Sequence, residues 1–123
     1  MDPMKLKSPT TTEGEIHMSK NGMRPVHPGE VLLEEFMKPA QPPINANTLA
    51  KALKVPANRI TAIIKGQRGV TGDTAVRFAA FFHTTAEFWM NLQKTYELRL
   101  AEMALPGKVL RDIEEQRNVL LSA

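Results

Sequence analysis

The chain has 123 residues, 42% of them hydrophobic, and no cysteine. This suits one compact domain with a tail, leaves no room for a second core, and excludes disulfides, thiolate metal sites and thiol nucleophiles. The net charge of +3 is uneven: residues 45–72 hold Lys51, Lys54, Arg59, Lys65 and Arg68 without any acid and carry +5, while the other residues sum to −2. A local basic field points to a polyanion, most commonly nucleic acid, or to an ordinary solvated face.

Residues 1–22 contain few large apolar side chains, with Leu6 and Ile16 isolated among Pro, Thr, Gly and charges, so the composition predicts a disordered leader. Met18 and Met23 offer later translational starts. The leader lacks the apolar core of a secretory signal, and the longest nearly continuous apolar run, Ala79 to Phe82, is far short of the ~20 residues that span a bilayer. The expectation is a cytoplasmic protein without a membrane partner.

From Pro28 onward the pattern becomes helical. Val31, Leu32, Phe36 and Met37 fall on one side and Glu30, Glu34 and Glu35 on another, ended by Pro39, Pro42 and Pro43. Asn45 can cap a second helix bearing Leu49, Ala50 and Leu53. Pro56, placed at a first helical position, opens a third with Ile60, Ile63 and Ile64, which Gly66 stops. Gln67 to Val70 reads as a loop. Thr71 caps a fourth helix with Asp73 in its first turn and an apolar row of Val76, Ala79 and Phe82, stopping near His83. Thr85 caps the longest helix, where Phe88, Trp89, Leu92, Tyr96, Leu100 and Met103 recur at spacings of three and four. Beyond Pro106-Gly107, a final amphipathic piece carries Val109, Leu110, Ile113, Leu120 and Leu121. No run alternates with period two for long enough to make a strand, so the predicted class is all-α.

The functional signal lies between Asn45 and Gly66. Leu49 and Leu53 sit four apart, Val55 follows at once, and Ile60 and Ile63 sit three apart on the next helix. Helices joined so tightly must cross steeply, and Ala50 is small where they meet. These are the steric demands of a helix-turn-helix, whose second helix, ~10–12 Å across, fits the ~12 Å major groove of B-DNA.

At this point the chain resembles a family. The stretch NANTLAKALKVPANRITAIIKGQRGVTGDTAVRFAAFFHTTAEFWMNLQKTYELRLAE is similar to the HigA (VapI-like) antitoxins of bacterial toxin–antitoxin modules, members of the Xre/Cro helix-turn-helix class. PVHPGEVLLEEFM is similar to the family's opening helix, and AEFWMNLQ followed by YELRLAE is its most specific signature. The resemblance runs from Arg24 to Glu102, about two thirds of the chain. It implies a five-helix, lambda-repressor-like DNA-binding domain over residues 23–105, with the leader before it and a C-terminal helical extension over 106–123. It also implies a homodimeric autorepressor that neutralises a HigB-like toxin, a RelE-type mRNA endonuclease. One departure stands out: the turn position that usually holds glycine, because φ is positive there, is Lys54, at a cost on the order of 1 kcal/mol.

By position on the second helix of the motif, Ala57, Asn58, Arg59, Thr61 and Ala62 are the candidates for base contact. Asn pairs with adenine, Arg with guanine, and Ala can meet a thymine methyl. Lys51, Lys65, Arg68 and Thr71, with the amides near Gly66, Gly69 and Gly72, are the candidates for phosphate contact. For each, solvated surface is the competing reading.

The remaining candidates read as structural. Trp89 belongs to a core stripe, and His17, His27 and His83 are scattered without metal-ligand spacing, so neither metal nor cofactor is expected. His27 and Glu30 bracket a Pro-Gly turn and suit a helix start. Glu34 and Glu35 have no base or nucleophile beside them, which argues against a ribonuclease or any other enzyme. The acidic first helix is a candidate surface for a basic toxin, and the segment from Val109 to Leu121 for dimer or partner contacts. An adaptor whose helix-turn-helix binds no DNA is the alternative function. An inverted-repeat operator is expected of a two-fold dimer.

Overall fold

In the structure, a computed structural model that describes residues 24–122, every regular element is helical. The leader assigned to residues 1–22 lies outside the described residues. Helix α1 begins as Pro28–Val31 and continues as a π-helical segment, Leu32–Met37. It is followed by α2 (Ala46–Leu53), α3 (Ala57–Ile64), α4 (Gly72–Phe82), α5 (Ala86–Ala104) and α6 (Gly107–Leu121). No helix among the described residues is long and apolar enough to cross a membrane.

Local chemistry starts each element. The His27 Nδ1 accepts from the Gly29 N–H at 2.8 Å and begins α1, as its place before Pro-Gly suggested. Asn45 Oδ1 accepts from the Thr48 N–H at 2.8 Å, and Thr71 and Thr85 cap α4 and α5 in the same way. The π-segment solves a packing problem. Leu32 and Met37 are five residues apart and would diverge on an α-helix, but i→i+5 closure, seen in the 2.9 Å bond from Lys38 N–H to Leu33 O, brings both into the core.

The core collects Leu32 and Met37 from α1, Leu49, Ala50 and Leu53 from α2, Ile60 and Ile63 from α3, Ala75 and Phe78 from α4, and Trp89 from α5. Trp89 and Phe78 are fully buried, with ring centroids 4.8 Å apart, and the Trp89 indole N–H donates to Thr84 Oγ1 at 2.8 Å. Gly29 permits the closest approach. A Cβ there would lie 1.8 Å from the Ile63 carbonyl oxygen, so α1 rests directly on the end of α3.

Two sequence expectations need correction. The apolar row of α4 is rotated: Ala75 and Phe78 are buried with Phe82 at the margin, while Val76 is 60% exposed. Packing against both α2 and α5 sets the buried stripe, and Val76 lies one residue off it. The stripe of α5 outruns its core. Phe88, Trp89, Leu92 and Tyr96 are buried or half-buried, but Met103 is 64% exposed, beyond the reach of the other described core helices. All of α6 is exposed.

Candidate nucleic-acid interface

The turn between α2 and α3 adopts the conformation the motif requires. Lys54 is left-handed (φ 61°, ψ 46°), and its N–H and that of Val55 close on the Lys51 and Ala50 carbonyls at 3.2 and 3.0 Å. Lysine thus takes the place usual for glycine. Pro56 is the N-cap of α3 and Ala57 the first helical residue, so the helix starts one residue later than expected. At the far end Gly66, with φ 75°, reverses the chain.

Burying Ile60 and Ile63 turns the opposite side of α3 outward. Ala57 and Asn58 are exposed, and Thr61 and Ala62 are half-buried. The Thr61 hydroxyl donates to the Ala57 carbonyl of its own helix at 3.2 Å. Lys51, Lys65 and Arg68 are exposed, and Thr71 is exposed while its Oγ1 accepts from the Thr74 N–H. Of the sequence-predicted residues, Ala57, Asn58, Lys51, Lys65, Arg68 and Thr71 are therefore exposed, and Arg59, Thr61 and Ala62 are part-buried.

Arg59 is held differently from its neighbours. Its Nη1 donates to Asp73 Oδ2 at 2.9 Å, and its side chain is 23% exposed. The same oxygen accepts from Arg77 Nε at 2.9 Å, and Arg77 Nη1 donates to the Leu53 carbonyl at 2.6 Å, where α2 ends. Arg77 foremost, then Arg59, holds the Asp73 carboxyl below the usual range of an aspartate. The acid-free segment of the sequence therefore does not make an acid-free surface. Asp73 and Arg77 are four apart and could be paired from sequence, whereas Asp73 and Arg59 are brought together by the fold.

Gln93 and His27 also escaped sequence reasoning as supports of the site. Gln93 is buried. It accepts from the Val70 N–H at 2.8 Å through Oε1 and donates to Glu97 Oε2 at 2.6 Å, so a side chain of α5 fixes the loop after α3. Gly69 passes so near it that a Cβ would lie 2.8 Å from Gln93 Nε2. His27 is wedged between Gly66, the Arg68 backbone and the Tyr96 ring, 4.8 Å away edge-on. Burial pushes its pKa down from the ordinary 6.5, against a hydrogen bond to the Arg68 backbone and the charge of Glu30.

The acidic face of α1 is largely spoken for. Glu30 takes both Arg24 guanidinium nitrogens, and Glu34 accepts from Lys38 at 2.9 Å. Among the described residues no group of three potential metal ligands assembles.

No protein-family model matches the chain. Curated relatives do. It is 46% identical over 87 residues to Virulence-associated protein I of Dichelobacter nodosus, covering 71% of this chain and 79% of that protein. It is 39% identical over 82 residues to Antitoxin HigA-1 of Vibrio cholerae, covering 66% and 74%. The chain belongs to the HigA (VapI-like) antitoxin family. The HigA fold is matched in three dimensions as well: the Pseudomonas aeruginosa antitoxin HigA, solved with the higBA promoter, superposes with a TM-score of 0.65 at 44% identity, covering 71% of this chain and 91% of that one. Lys54 therefore leaves the HigA architecture intact, as its left-handed backbone already indicated.

Proposed function

We infer that this chain is a sequence-specific, operator-binding antitoxin that represses its own operon and neutralises a HigB-like mRNA endonuclease, with no catalytic step of its own. The observation that carries this is the outward side of α3, where Ala57 and Asn58 stand exposed in a segment that also exposes Lys51, Lys65 and Arg68. A HigA relative of the same fold has been solved on promoter DNA.

In this reading Asn58 pairs with adenine, Arg59 reads guanine, and Ala57 contacts a thymine methyl. Thr61 and Ala62, half-buried, contribute shape at the groove wall. Lys51, Lys65, Arg68 and Thr71 take phosphates, and the Gln93 bond to Val70 keeps Arg68's loop in register with α3. A single α3 spans too few base pairs for operator selection. Two copies related by a two-fold axis place two such helices in successive major grooves ~34–36 Å apart, reading an inverted repeat. The exposed apolar side of α6 and the acidic side of α1, reduced to Glu35 as its one unpaired member among Glu30, Glu34 and Glu35, are the surfaces left for partners. The working compartment is the cytoplasm, at the nucleoid when DNA is bound.

The test is electrophoretic mobility with the gene's own upstream region in rising salt. Selective retardation of that fragment over random DNA of equal length is expected, with each lysine or arginine removed from the phosphate set flattening the salt slope by about one. An unselective or absent shift would favour the adaptor. Co-expression with the neighbouring open reading frame tests the other half: rescue of growth and co-purification are expected.

A further inference from the structure

We propose that Asp73 is a specificity-determining residue for operator recognition, holding the Arg59 guanidinium so that its free end meets one guanine instead of any passing phosphate. This rests on the operator-binding reading above.

Three observations lead there. Arg59 occupies the third position of α3, among the groups offered to the groove, yet its hydrogen bond through Nη1 goes to Asp73 at 2.9 Å. Its Nε is buried without a hydrogen-bond partner. With Nε out of reach and Nη1 bonded to the carboxylate, Nη2 is the nitrogen left wholly free, so the pairing sets which end of the guanidinium is offered. Secondly, the carboxylate cannot follow Arg59 about. Asp73 Oδ2 is also held by Arg77 Nε at 2.9 Å, and Arg77 is fastened to the Leu53 carbonyl at 2.6 Å, so Asp73 is tied to the turn between α2 and α3. A long, mobile side chain thereby inherits the rigidity of the motif. Thirdly, Asp73 lies in the first turn of α4, two residues from Thr71, on the side assigned to phosphates. A carboxylate there repels the DNA backbone in every sequence. Its presence weakens generic binding and leaves discrimination to the fixed donors of Arg59, since a wrongly matched base leaves them unpaired.

The experiment compares dissociation constants for the upstream-region duplex and a random duplex of equal length, by fluorescence anisotropy. The proteins are the wild type, Asp73→Asn, Asp73→Glu, Arg59→Ala and the Arg59→Ala/Asp73→Asn double variant, each confirmed as folded by circular dichroism. Asp73→Asn is expected to tighten random-duplex binding severalfold, to steepen the salt slope by about one, and to lower the specificity ratio about tenfold. Asp73→Glu keeps the charge but displaces the carboxylate by a methylene, so the ratio falls with random-duplex affinity unchanged. In the Arg59→Ala background Asp73→Asn leaves the ratio where it was. A wild-type ratio in Asp73→Glu, or an equal loss without Arg59, overturns the role of Asp73 while operator binding stands. A wild type that does not discriminate between the duplexes overturns operator binding and this inference together.

Discussion

Residues before Tyr96 and residues after it carry similar amphipathic patterns but meet different fates. In the first region Leu32, Leu49, Ile60, Ile63, Phe78 and Trp89 are fully buried, each apolar stripe facing at least two other helices. In the second, Ile113 is 58% and Leu120 75% exposed, on a helix with no buried residue. Periodicity shows which side of a helix is apolar. It does not show whether the chain has another element to lay against it, and no described element buries a residue of α6.

The sharpest way to break this comparison is to cut a large side chain from each region. Trp89→Ala should cost about 3–5 kcal/mol in denaturant unfolding, whereas Ile113→Ala and Leu120→Ala should stay within about 0.5 kcal/mol in dilute protein. A cost on α6 that grows with protein concentration would mean that a second copy covers it.

Glycines sharpen the contrast next. Gly29→Ala drives a methyl into the Ile63 carbonyl and should destabilise by at least the ~1–3 kcal/mol of ordinary overpacking. Gly107→Ala meets the flexible end of Arg111, with its nearest contact at 3.4 Å, and should be neutral or stabilising by up to about 1 kcal/mol. Equal effects from the two would show that α1 does not rest on α3.

The first region should also carry a pH response. Burial lowers the His27 pKa, so the unfolded chain binds this proton more readily than the folded one. The contribution is complete above the ordinary 6.5 and is lost as pH falls through the folded value. Unfolding midpoints should therefore begin to drop as pH falls through the ordinary 6.5, and His27→Asn should lose that part of the slope. A variant with the wild-type slope would remove His27 from the account.

The smallest expected change is at the turn. Lys54→Gly relieves a left-handed residue and should stabilise by about 1 kcal/mol or less, read as a small rise in Tm. A loss of stability there would mean that the lysine side chain does more than tolerate its backbone.

Much of the interface was legible before any coordinates. Asn45, Thr71 and Thr85 cap where their side chains say they should, Gly66 reverses the chain, and the outward exposure of Ala57 and Asn58 follows once Ile60 and Ile63 are known to face inward. Arg59 was legible as a basic residue of α3 but not as one held by an acid fourteen positions away. Gln93 read as one more polar residue on a long helix, with nothing to mark its bond to Val70 across 23 positions.

The sequence by itself determined the helices, their caps and turns, the left-handed place given to Lys54 and the family. Each depends on neighbours within a few residues, whose sterics and hydrogen bonds act wherever the chain lies. Only the tertiary structure decided that Val76 points to solvent, that Asp73 shares its carboxylate between Arg59 and Arg77, and that α6 lies bare. These depend on which helices pack against which, a balance of burial and pairing among residues far apart in the chain that no local pattern encodes.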